Sequence, residues 1–105
     1  MQIETIKKVK GLINISNKAG YLIIGSDALK KYHKKLYLII RSNNSGKSLI
    51  KISENLVKET NCEEIILNEE EMSAILSIEN CKIVGIKNLG LSKEILKYIR
   101  GENFV

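Results

Sequence analysis

Apolar residues recur along this chain with two alternating periods, and the alternation predicts its elements. Within residues 3–19, Ile6, Val9, Leu12 and Ile13 fall on one side of a helical repeat, while Lys7, Lys10 and Lys18 lie largely outside it. Gly20 stands where a left-handed residue would end that amphipathic helix, and the run YLII reads as a buried strand closed by Gly25. From Ser26 the helical period returns. Ser26 is a capping residue type, Asp27 favours the positive end of a helix dipole, and Leu29 and Tyr32 face inward before LYLII, residues 36–40, begins a second strand.

Beyond the octapeptide RSNNSGKS, residues 41–48, the apolar positions Leu49, Ile52 and Leu56 repeat with Lys47, Lys51, Glu54 and Lys58 outward. This gives a third helix to about Thr60. EEIIL is a third strand. Asn68 followed three positions later by Glu71 marks a helix start, with Met72, Ile75 and Leu76 supplying its core face. CKIVGIK is a fourth strand, and Ser92 is expected to start a last helix carrying Ile95, Leu96 and Ile99. The order α-β-α-β-α-β-α-β-α calls for a sheet covered on both faces: an α/β fold, a three-layer α/β/α sandwich with a four-stranded mixed sheet. No linker or repeat interrupts it, so residues 1–105 read as one domain.

Composition narrows the class. With 44% hydrophobic and 28% charged residues the chain has the balance of a soluble globular protein, and no apolar run approaches bilayer length. The N-terminal stretch MQIETIKKVKG lacks the apolar segment of a secretory signal, so a cytoplasmic protein with no membrane partner is expected, as a monomer. Cys62 and Cys81 stand 19 positions apart with no second pair and only His33 in addition, which leaves a tetrahedral metal site short of ligands. Both read as buried small hydrophobes, and no metal or cofactor is expected.

Charge is unevenly placed. Residues 1–60 hold twelve Lys/Arg against four acids, net +8, whereas residues 61–105 hold five against eight, net −3. A basic half beside an acidic half points to a face that attracts a polyanion.

RSNNSGKS ends as a phosphate-gripping loop would, yet the position of that loop's first glycine is Arg41. A Mg²⁺-holding aspartate at a second strand end is also missing, since Asp27 is the only aspartate in the chain. The octapeptide reads instead as a serine-capped start of the third helix, with Lys47 close to it. His33 sits in KKYHKK without a nucleophile or an orienting carboxylate at a fixed offset. An enzyme is not expected, and no catalytic residue is assigned.

The stretch GSDALKKYHKK, residues 25–35, is more telling. On a continuous helix Asp27, Lys31 and Lys34 share a stripe flanked by Lys30 and Lys35. Lysines bind phosphates, while a carboxylate accepts hydrogens from an exposed base edge.

Here the chain resembles the ribosomal protein L-seven-Ae and L-thirty-e family, which includes small bacterial kink-turn RNA-binding relatives. The likeness runs over essentially the whole length. Its most specific stretch is K-A-G-x-L-x-x-G-S-D-x-x-x-K, Lys18 to Lys31. Against the family pattern G-x-N-E-x-x-K, Gly25 matches the glycine, Asp27 stands at the asparagine and Lys31 at the lysine, while Ala28 replaces the glutamate. The family's second RNA contact, a small residue followed by Ile-Glu-Val, corresponds to Ser77-Ile78-Glu79-Asn80, with Asn80 at the apolar position.

The resemblance implies a non-enzymatic protein that stabilises kink-turn or ribosomal RNA, as part of a ribosome or ribonucleoprotein. Gly25, Ser26, Asp27 and Lys31 would enter the groove at sheared G·A pairs, and Lys18, Lys30, Lys34 and Lys35 would hold phosphates. Ile78, Glu79 and Asn80 would pack against an extruded nucleotide. Two other readings stand beside it: a protein-interaction scaffold of the same fold without RNA recognition, and a nucleotide-binding enzyme using Lys47.

Overall fold

The apolar stripe at the start of the chain is buried: in α1 (Ile3–Lys18) Val9 and Ile13 are at most 2% exposed, with Lys7, Lys10 and Lys18 in solvent. The computed structural model describes residues 1–101. After α1 come β1 (Leu22–Ile24), α2 (Ser26–Lys31), β2 (Leu38–Ser42), α3 (Lys47–Thr60), β3 (Glu63–Leu67), α4 (Glu69–Ile75), β4 (Ile83–Ile86) and α5 (Leu89–Leu96). One π-helical turn, Lys97–Gly101, extends α5. Among the described residues no helix is long and apolar enough to cross a membrane.

The four strands form one mixed sheet in the order β1-β4-β2-β3. β4, the last strand in sequence, lies antiparallel between β1 and β2, with Ile24 opposite Val84 and Arg41 opposite Ile83; β3 lies parallel on the far side of β2. Because side chains alternate across a strand, the sheet carries two cores. Leu38, Ile40, Ile65, Val84 and Ile86 pack with Val9, Ile13, Met72, Ile75 and Ile95 of α1, α4 and α5. Ile23, Ile39 and Ile83 pack on the other face with Leu29, Leu36 and Leu56, under α2 and α3. The result is the expected three-layer α/β/α sandwich.

Several boundaries differ from expectation. The second helix stops at Lys31, and Tyr32 is already extended (ψ 115°), so Lys34 and His33 lie beyond the helix and the stripe Asp27–Lys31–Lys34 is not continuous. Four lysines in that region offer no apolar side to bury in a further turn. The Tyr32 hydroxyl instead donates to the Lys35 carbonyl (3.2 Å), and Leu36 drops fully into the second core. The last helix starts at Leu89 rather than Ser92, with the Asn88 side chain accepting from the Leu91 N–H (2.9 Å) as its cap.

Arg41, expected in a loop, is the fourth residue of β2 and 7% exposed. Its Nε donates to Glu64 Oε2 (3.3 Å), and the buried Ser53 hydroxyl of α3 donates to the same oxygen. This charged group thus supports α3 from beneath.

Candidate nucleic-acid interface

Three chain segments converge at the end of the sheet where β1 and β2 finish and β4 begins. The first is the β1–α2 junction. Gly25 has φ 88° and ψ 159°, a region that essentially only glycine reaches. Its N–H donates to the Ile83 carbonyl (3.0 Å), tying the junction to β4, and its carbonyl accepts from the Leu29 N–H (3.2 Å). Leu29 then packs over Gly85, where a Cβ would stand 2.7 Å from the leucine Cδ2. A glycine inside β4 therefore lets α2 lie close to the sheet. Gly25 is the residue before the first helical turn, and no side chain caps α2, so Ser26 does not take the capping role expected of it.

The second segment is Asn43–Gly46, the part of the octapeptide between β2 and α3. Ser42 anchors it: its hydroxyl accepts from the Asn44 N–H (3.1 Å), and its carbonyl accepts from the Ser45 hydroxyl (2.6 Å). The Asn43 N–H donates to the Leu67 carbonyl (2.7 Å). The serine cap expected for α3 is absent; Gly46 precedes its first turn, and no acid sits in that turn.

The third segment leads from α4 into β4. Asn80 adopts φ 58°, a left-handed conformation that asparagine tolerates and a β-branched residue resists. This gives a physical reason for Asn80 where an apolar residue was anticipated. Cys81 is only half-buried, contrary to the reading of both cysteines as core, and its thiol donates to the Ile83 carbonyl (3.3 Å). Burial pushes that thiol above its ordinary 9.0, partly offset by backbone hydrogen bonds from Ile83 and Gly25.

Between these segments lies a cleft of about 560 Å³. Gly25, Ser26 and Lys30 form one wall, Gly46 and Ser48 a second, and Ile78, Glu79, Asn80 and Lys82 the third; Ile24, Ile52 and Ile83 supply apolar lining. Lys30 and Lys82 oppose the single carboxylate of Glu79, so the lining is net positive.

Six of the residues singled out in the sequence therefore share one site. Asp27 and Lys31 stand exposed on α2 one helical turn apart, outside the cleft lining. Lys34 and Lys35 line a separate depression with Glu59 and Thr60, where Lys35 Nζ donates to the Thr60 carbonyl and lies 5.5 Å from the Tyr37 ring centre. Lys18 is exposed at the end of α1, away from the cleft lining. Sequence reasoning missed Ser48, Ile52 and Lys82. The signals available were the small-residue start of α3 and a lysine two residues after the Ile-Glu-Asn turn.

No protein-family model matches the chain, and no curated protein matches it. Among solved structures it is similar to a protein of unknown function from Bacillus halodurans C, with a TM-score of 0.63 at 20% identity over 88% of this chain and 96% of that one. What the two share at that identity is the fold, over nearly the full length of both.

Proposed function

We propose that this chain is a non-enzymatic RNA-binding protein that stabilises structured RNA of the kink-turn kind within a ribosome or ribonucleoprotein. One observation carries the reading. Gly25, Ser26 and Lys30 line the same net-positive cleft as Ile78, Glu79 and Asn80, although β2, α3, β3 and α4 separate the two groups in sequence. These are the two stretches to which the family resemblance assigns RNA contacts.

The chemistry follows from the placement. Asp27 is an acceptor-only group on an exposed helix start, suited to the amino and imino hydrogens of sheared G·A pairs, and Lys31 supplies a donor one turn later. The cleft offers apolar side chains to a nucleotide turned out of its stack, with Lys30 and Lys82 for flanking phosphates. A protein of this kind acts by population shift: it binds the bent RNA better than the extended one and so holds the bend. Lys34 and Lys35, by their position, serve longer-range attraction rather than the cleft.

The test compares a kink-turn RNA with a copy whose G·A pairs are converted to Watson–Crick pairs. The kink-turn is expected to bind at least about tenfold more tightly, and Asp27→Ala and Lys31→Ala should each remove about tenfold of that affinity. Equal binding of both RNAs would sink the proposal.

A further inference from the structure

At the opposite end of the sheet the starts of β2 and β3 and the first turns of α5 enclose a second cavity, of about 500 Å³. Its volume falls in the range of small-molecule sites. Tyr37, Cys62, Leu89, Ser92, Lys93 and Leu96 line it. None of them belongs to the cleft described above.

Ser92 sets this cavity apart. Three other shielded hydroxyls on helices are satisfied internally: Ser16 donates to the Leu12 carbonyl (2.8 Å), Thr60 to the Leu56 carbonyl (2.7 Å) and Ser53 to Glu64. Ser92 is 1% exposed, and its Oγ is the one buried side-chain polar atom among the described residues without a hydrogen-bond partner. Burying a hydroxyl unsatisfied is costly, so such an atom beside a cavity marks a place for an acceptor or donor to arrive.

The surroundings define what that group belongs to. Leu89, with 48% of its surface exposed, and the half-buried Leu96 and Tyr37 make one wall apolar. Lys35, Lys93 and Arg100 line the cavity against one acid, Glu63, and that acid is engaged by Arg100 (2.8 Å). Lys35 is held by the Thr60 carbonyl; Lys93 enters no ion pair among the described residues. Burial pushes the Cys62 thiol up, so it adds no negative charge at neutral pH.

We propose that this cavity binds a small organic anion with a planar apolar body. The body lies against Leu89, Leu96 and Tyr37, an acceptor oxygen takes the Ser92 hydrogen bond, and the negative charge faces Lys93. The site is independent of RNA recognition, so either reading can fail without the other.

Naphthalene-2-carboxylate is the probe, titrated into the isotope-labelled full chain while amide signals are followed by NMR. Shifts are expected at Asn61–Glu63 and Leu89–Lys93, with a dissociation constant of about 1 mM or tighter. Ser92→Ala should weaken binding about fivefold and Lys93→Glu about tenfold, with thermal melting showing that both variants remain folded. The neutral alcohol of the same ring system should bind more weakly than the carboxylate. The proposal is overturned by shifts centred on Gly25 and Ile78, by unchanged affinity in Ser92→Ala, by equal binding of the alcohol, or by no shift at several times the expected constant.

Discussion

β2 and β3 are parallel neighbours, and each hands the chain to a helix at the same end of the sheet, but the two helices start in opposite ways. α4 closes its own start: Asn68 Oδ1 accepts from the Glu71 N–H (2.7 Å), Glu71 Oε1 accepts from the Asn68 N–H (3.1 Å), and three glutamates occupy its first turn. α3 has a glycine before it, no side-chain cap, no acid in its first turn, and Lys47 and Ser48 in their place. The closed start needs nothing from outside. The open one faces the cleft, where its unpaired N–H groups and positive dipole end favour an anion. An unfilled capping opportunity is therefore as informative as a filled one, when a lined cavity lies beside it.

The comparison can be broken or sharpened by substitution. The largest effect is expected where an uncapped helix depends wholly on packing. Leu29→Ala removes the one fully buried side chain of α2 and should cost about 2–5 kcal/mol in urea unfolding, with loss of RNA affinity as the cleft wall loosens. A cost below that of the cap variant would show that α2 is held otherwise. Asn68→Ala should cost about 1 kcal/mol and leave RNA binding unchanged, because it opens the start that does not face the cleft.

Gly46→Asp supplies α3 with the cap it lacks. Stability should rise by a few tenths of a kcal/mol while RNA affinity falls about threefold, the two measurements moving in opposite directions. Affinity rising with stability would mean that the open start has no part in binding.

The smallest effect concerns the thiols. Both cysteines ionise above 9.0 in the folded chain because burial disfavours the thiolate. The unfolded thiols lose their protons first, so stability present below about pH 9 declines as pH rises further. Replacing Cys62 and Cys81 by alanine should flatten that part of the pH profile, as read by midpoints of urea unfolding between pH 8 and 10.5; an unchanged slope would assign it to other groups.

Legibility followed the range of the signal. α4 was readable because its capping box is complete within four residues, and β3 because EEIIL is bounded by Asn61 and Asn68 on either side. The end of α2 was not, since KKYHKK has acceptable helix formers and the decision belongs to Leu36, which is drawn into the second core. The start of α5 is hidden in the sequence because Asn88-x-x-Leu91 lacks the acidic partner that makes a cap conspicuous. The cleft is half legible: Gly25, Ser26, Lys30 and Ile78–Asn80 can be named, but that Ser48 joins them depends on the strand order, which no local pattern encodes.

That strand order also bears on how the chain is made. β4, in the final quarter of the sequence, bridges β1 and β2, which lie two inter-strand spacings apart, about 9.5 Å. During synthesis from the N-terminus, β2, β3 and the helix between them can assemble early, while β1 has no strand to pair with until Ile86 has emerged. The cleft, whose walls hang from both sides of that bridge, is consequently among the last features a nascent chain completes.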